Sequence, residues 1–154
     1  MSSSTATTGS ETRGRQVSSL LLGALRLSAS GSLPADEAWQ RYTRPARWTE
    51  WAPHLREIDY SEPVIRPGTS GRVTGVGGVV AEFQIDAVDE KARTWSWSVR
   101  SGPLGVSFDH GVNVAPSGLD QLSTAWLVAR GLWPVVLGYA PIARYSLGRL
   151  VNPR

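Results

Sequence analysis

Between Ile58 and Val128, apolar residues recur at every second position in run after run, and only a few residues separate one run from the next. Ile58 and Tyr60 alternate with Glu57 and Asp59. Ala81, Phe83, Ile85 and Ala87 alternate with Glu82, Gln84 and Asp86. Trp95, Trp97 and Val99 alternate with Thr94, Ser96, Ser98 and Arg100. Val106, Phe108, His110, Val112 and Val114 share one face of a further run, and Leu122, Thr124, Trp126 and Val128 share one face of the last. A period of two predicts half-buried strands. Turn signals at Pro67–Gly68, Asp89–Arg93, Ser101–Pro103 and Pro116–Gly118 are too short for crossover connections, so neighbouring strands are antiparallel. A sheet with one apolar face needs a cover, and few segments of the chain can supply it.

Those segments lie at the two ends of the strand series. A first strand is expected over Val17–Ser30 and a weaker one over Arg72–Val76, which makes about seven strands in all. After the first strand, Pro34 suits a first helical turn and Asp36 and Glu37 favour the positive end of the helix dipole. Trp39 and Tyr42 share a face of this helix, and Pro45 ends it. A second short helix is expected over Ala46–Trp51, with Trp48 and Trp51 on one side and Pro53 as its stop. Leu132–Leu150 reads as a long helix with Pro134 in its first turn. Its stripe is Val136, Tyr139 or Ala140, Ala143, Leu147 and Leu150, and Pro141 is placed to kink it. This helix is expected to lie across the sheet face that carries Phe83, Trp97 and Phe108. The fold class is α+β.

At 154 residues the chain suits one domain. Residues 1–15 are expected to be a disordered tail, because Met1–Thr12 is Ser, Thr, Gly and Ala with a single acid; residues 16–154 form the domain. The absence of Cys excludes disulfides and thiolate sites, and two His residues are too few for a His-based metal cage. No metal or cofactor is expected. The net charge of +3 comes from scattered rather than clustered Arg and Lys, which argues against nucleic-acid binding. The apolar stretch Leu132–Ala143 is too short to span a bilayer, and Arg26 interrupts the one segment that resembles a signal peptide. A cytoplasmic protein without stable membrane insertion is expected, as a monomer or homodimer.

The seven Trp residues are a heavy load and must line a core, a cavity or an interface. Trp48, Trp51, Trp95, Trp97 and Trp126 are read either as core or as the wall of a ligand cavity. Trp95 and Trp97 sit two apart on one strand, about 7 Å from each other, a spacing at which they could flank a flat ring. His110 is the lone polar member of an apolar strand face. It is either a satisfied core His or a cavity group that orients a ligand, with acid–base work as a further role. Arg144 and Tyr145 are either surface and packing residues or the mouth of the cavity, Arg144 then holding an acidic ligand group. Gly75-Val76-Gly77-Gly78 lacks the spacing of a nucleotide loop and reads as a tight hairpin.

The order of elements resembles the START-related, birch-pollen-allergen-like superfamily (SRPBCC), in particular its polyketide cyclase/dehydrase-like and lipid-transport-like branch. The stretches that carry the resemblance are Leu33-Pro34-Ala35-Asp36-Glu37-Ala38-Trp39, Trp48-Thr49-Glu50-Trp51-Ala52-Pro53, the Trp95-Ser96-Trp97 strand and His110. It covers about Val17 to Arg154. The resemblance implies a helix-grip fold, in which a curved antiparallel sheet wraps around a long C-terminal helix and encloses a cavity. It also implies a binding or carrier protein for an apolar small molecule, a lipid or an aromatic polyketide. The implied ligand-binding set is Trp48, Trp51, Phe83, Trp95, Trp97, Phe108, His110, Trp126, Tyr139 and Arg144. Two other readings stand beside it: a cyclase or dehydratase using His110, with Tyr139 or Tyr145, and a protein-interaction module. A fold alone does not choose among them.

Overall fold

Seven strands form one antiparallel sheet whose two edges are the first and second strands of the chain. The computed structural model describes residues 22–114 and 122–153. The expected tail, the start of the first strand before Leu22 and the turn at Pro116–Gly118 lie outside the described residues. Strand β1 (Leu22–Gly31) leads to helix α1 (Ala35–Thr43), a 3-10 turn (Pro45–Arg47) and the single-turn helix α2 (Trp48–Trp51). Then come β2 (Leu55–Asp59), β3 (Ser70–Gly75), β4 (Val80–Asp89), β5 (Thr94–Ser101), β6 (Leu104–Val114) and β7 (Ser123–Leu132). Helix α3 (Trp133–Val151) closes the chain. From β3 to β7 each strand pairs with its predecessor, and β1 pairs with β7, so the sheet order is β1-β7-β6-β5-β4-β3-β2. This is the expected helix-grip arrangement, with two short helices after the first strand and a long one at the end.

Two details of register differ from the alternation expected. In β4 a bulge falls between Ile85, which pairs with Trp97, and Ala87, which pairs with Ser96. The extra residue resets the pleat, so Val88 rather than Ala87 turns toward the core. Asp86 sits at the bulge and accepts a hydrogen bond from Ser98 Oγ at 2.7 Å. In β7 the inward set is Ser123, Ala125, Leu127 and Ala129, all buried, and not the set that contains Trp126. Both sets of β7 are apolar, so periodicity could not decide between them. The space under α3 decides: Ala125 and Ala129 leave room for the helix, which packs on β1 and β7, and an indole at these positions would not. Helix α3 therefore covers the β1–β7 side and not the whole sheet face. Phe83 and Trp97 are covered instead by Trp48 of α2, with ring centroids at 5.5 and 5.1 Å.

Arg41 of α1 locks the end of α3 and was not singled out by its sequence context. The residue is buried, and its Nη1 donates to the carbonyl oxygens of Arg149, Leu150 and Asn152 at 2.8, 2.7 and 3.3 Å. The last carbonyls of a helix have no partner within it and carry the negative end of its dipole, so a guanidinium is well matched to them. Burial lowers the Arg41 pKa and Glu50 opposes that effect; an arginine in this setting stays charged. Arg41→Met is expected to destabilise the fold by about 2–4 kcal/mol, because charge-assisted hydrogen bonds are lost and carbonyls are left buried without donors. Urea unfolding of the two chains measures it, and a loss below 1 kcal/mol, the scale of an ordinary surface change, would show that the contact contributes little.

Candidate functional site

On the concave side of the sheet, the side chains expected to line a cavity are packed against one another. Strand β5 places Trp95 and Trp97 on the inner face, and β6 brings Phe108 and His110 opposite them in register: Trp95 faces His110 and Trp97 faces Phe108. Trp95 stacks on the His110 ring at 4.5 Å with planes 13° apart, and Trp48 stacks on the other side of the cluster against Trp95 at 5.7 Å. Trp95 and Trp97 have centroids 5.3 Å apart with planes at 43°. A flat ring between two indoles needs two stacking distances, about 7 Å, and parallel walls, so the slot expected from the sequence does not exist. Helix α2 is held in place by indole N–H groups that cap the end of α1: Trp48 Nε1 donates to Tyr42 O at 2.7 Å and Trp51 Nε1 to Arg41 O at 3.0 Å.

A small hollow remains between this cluster and α3. Its volume is about 40 Å³, and its walls include Trp51, His54, Trp95, His110, Tyr139 and Ser146. A water molecule occupies about 30 Å³ in the liquid, whereas ligand pockets hold about 300–1,000 Å³. The aromatic side chains thus fill most of the volume that a ligand would use. A far larger depression, about 1380 Å³, crosses the strands from Asp59 and Arg72 through Glu82 and Arg100 to Arg130. It is open to solvent and includes none of the stacked rings except Phe83, so it does not form an enclosed site.

The hollow is polar out of proportion to its size. Trp95 Nε1, His110 Nδ1, His54 Nδ1 and Ser146 Oγ, on residues that line it, are all buried without a hydrogen-bond partner among the described residues, in a protein interior where nearly all such atoms are paired. The state of His110 follows from its neighbour. Trp97 Nε1 lies 3.0 Å from His110 Nε2, and an indole N–H only donates, so Nε2 is the acceptor and the ring proton sits on Nδ1. Burial lowers the His110 pKa from 6.5 to about 3, so the ring is neutral at neutral pH. Burial also lowers the His54 pKa and raises that of the Tyr139 phenol to about 12. The hollow therefore presents two fixed N–H donors, Trp95 Nε1 and His110 Nδ1, beside groups that carry no charge at neutral pH.

Eight of the residues proposed from the sequence come together here: Trp48, Trp51, Trp95, Trp97, His110 and Tyr139 border the hollow, and Phe83 and Phe108 back the cluster from the sheet. Tyr139 meets Phe108 edge-on at 5.4 Å and His54 at 5.7 Å. Two of the proposed residues do not join them. Trp126 points to the opposite face of the sheet, where the Arg26 guanidinium lies 4.8 Å from its ring and the ring occupies the space a side chain at Gly111 would need. Arg144 is exposed on the outer side of α3 and does not reach the hollow. His54, Ser146 and Tyr42 were missed. His54 follows a helix stop and Ser146 interrupts an apolar stripe; a lone polar residue on an inward stripe is the signal that Ser146 offered.

No protein-family model matches the sequence. No curated protein is similar enough in sequence to match it. Solved structures do match in fold. The chain is similar to the crystal structure of Ara h 8.0201, with a TM-score of 0.62 and 17% identity, over 84% of this chain and 98% of that one. It is also similar to hypothetical protein jhp0584 from Helicobacter pylori, with a TM-score of 0.71 and 11% identity, over 98% of this chain and 97% of that one. The resemblance to the birch-pollen-allergen-like superfamily thus holds at the level of the fold.

Proposed function

We propose that residues 16–154 form one binding unit for a small apolar molecule that carries a hydrogen-bond acceptor, and that the molecule sits where the hollow is now. The observation that carries this reading is the pair of buried N–H donors, Trp95 Nε1 and His110 Nδ1, on two residues that line the same small hollow, with no acceptor for either among the described residues. A carbonyl, ether or carboxylate oxygen on an otherwise apolar body satisfies both requirements. Because the hollow holds about 40 Å³, binding requires a wall to move. Helix α3 supplies that wall. It is anchored on β1 and β7, reaches the cluster through Tyr139, and carries Pro141, which removes the hydrogen bond to the carbonyl of Leu137 one turn before.

A carrier role is favoured over catalysis by the state of His110. A general base works best with a pKa near the operating pH and a free lone pair. Here the pKa is about 3 and the Nε2 lone pair accepts from Trp97. Among the described residues no carboxylate is bonded to the ring to raise that value.

An apolar fluorophore with a carbonyl acceptor, such as a dialkylamino-naphthyl ketone, tests the reading. It is expected to bind and to quench Trp emission. Trp95→Phe, which keeps the aromatic volume and deletes the donor, is expected to weaken binding by about 1–2 kcal/mol, while Glu82→Ala on the outer face leaves it unchanged. Equal affinity of wild type and Trp95→Phe would sink the donor role. Failure of any apolar probe to bind would sink the carrier reading as a whole.

A further inference from the structure

Most of the large apolar side chains exposed among the described residues gather at one end of the sheet; Val114, Ile142 and Tyr145 lie elsewhere. The strands alternate in direction, so the β3–β4 turn, the β5–β6 turn, the β7–α3 corner and the start of β1 all fall at that end. The β3–β4 turn presents Val76, Val79 and Val80, with Val79 61% exposed. The β5–β6 turn beside it presents Leu104, and Ser101 Oγ donates to Val80 O at 2.9 Å, which holds the two turns together. At the corner, Leu132 is exposed opposite Leu22 in register, Trp133 is partly exposed, and Leu137 follows one turn later at 55%.

These turns carry no charge. No charged residue lies between Arg72 and Glu82, between Arg100 and Asp109, or between Arg130 and Arg144. The charges that flank them are chiefly cationic. Arg72 is paired with Glu82 and Arg130 with Asp109, whereas Arg56 and Arg100 make no ion pair among the described residues; Glu57 is the nearest unpaired acid. After Asp120 the chain has no acid at all, while Arg130, Arg144, Arg149 and Arg154 remain.

We propose that this end of the sheet docks on an anionic lipid surface, with the valine turn, Leu104 and the Trp133–Leu137 corner entering the interface and the flanking arginines meeting the headgroups. Three separate apolar prongs suit a deformable interface, in which each can sink independently, and a Trp at the boundary with Arg close by is the composition such interfaces favour. A second copy of the chain is a poorer occupant. It would bring the chiefly cationic rim of the patch, Arg56 and Arg100 included, up against its own like charges. The docking is peripheral, since among the described residues no helix is long and apolar enough to cross a membrane. It stands on the exposed turns alone and is independent of what the hollow binds.

The test is co-sedimentation of the full chain with phosphatidylcholine vesicles, with and without phosphatidylserine, at low and high salt. Binding is expected with phosphatidylserine, weakened by salt. Val79→Glu combined with Leu104→Glu is expected to lower partitioning about tenfold or more, and Arg100→Glu to lower it less. Val114→Glu, which places the same charge on an exposed valine at the opposite end of β6, is expected to leave it unchanged. Far-UV circular dichroism confirms that each variant is folded. No sedimentation with phosphatidylserine vesicles at low salt overturns the proposal, as does an equal loss in Val114→Glu. A concentration-dependent dimer that the double substitution abolishes also overturns it and assigns the patch to a second copy.

Discussion

Trp48→Ala is expected to lower the stability of the fold by about 3–5 kcal/mol and, at the same time, to create a pocket that an apolar probe enters without competition. Trp48 is almost wholly buried and touches Phe83, Trp95 and Trp97, and its indole N–H caps the carbonyl of Tyr42. Its removal takes away one of the indoles of the cluster and the side chain that covers Phe83 and Trp97. The gap opens onto the hollow that Trp48 already borders. Engineered cavities of about 150 Å³ lined by apolar groups stay dry and take up small aromatic molecules. Denaturant unfolding measures the first effect, and titration with indole, which replaces the lost ring, measures the second. A stability loss without recovery of stability on adding indole would mean that the cluster collapses on removal of Trp48, and that it acts as core and not as the plug of a binding site.

The second large effect is a loss of stability in mild acid. The unfolded chain takes up a proton on the His110 ring as the pH falls through 6.5, whereas the folded protein does so only near 3. Between those values the unfolded state holds more protons, so stability rises with pH. The contribution is complete above about pH 6.5 and falls by about 1.4 kcal/mol per pH unit below it, hence by about 2 kcal/mol at pH 5. His54 is shifted in the same direction by burial and adds to the slope. Unfolding midpoints at pH 7, 6 and 5 are expected to drop accordingly in the natural chain and to drop clearly less in His110→Phe. Identical pH profiles for the two chains would show that the His110 ring meets solvent or charge that the packing around Trp95 does not reveal.

Much of this fold is legible from periodicity because its strands are one-sided. Phe83, Trp97 and His110 alternate with polar neighbours, so their direction follows from the pleat. Where both sides of a strand are apolar, the pleat is silent. That is the case in β7, whose Trp126 looks inward by composition and lies outward because Ala125 and Ala129 are what α3 can tolerate. The bulge at Asp86 was hidden for a related reason, since Ala87 and Val88 are both apolar and either can turn in. The candidate site was legible as a set of residues but not as a volume. Spacing along β5 sets how far apart the Cα atoms of Trp95 and Trp97 lie, and it is their rotamers, with Trp48 pressed in from α2, that bring the rings to 5.3 Å and fill the space. Arg41 could not be found from its own helix, because the carbonyls it serves belong to residues about a hundred positions later in the chain.

The pairing of β1 with β7 sets the order in which the molecule can be completed during synthesis. β1 leaves the ribosome well before its partner Ser123–Leu132, with β2 to β6 made in between and α3 after it. Strands β3 to β6 each meet a neighbour made shortly before, but β1 waits unpaired until β7, about ninety residues later, has been made. At about 5–20 residues per second that wait is several seconds or more. Its inward side, Leu25, Leu27 and Ala29, is apolar throughout that interval. Closure is then a long-range event that joins β1 to β7 across the intervening strands, and until it happens β1 offers an unpaired edge and an apolar side to other chains.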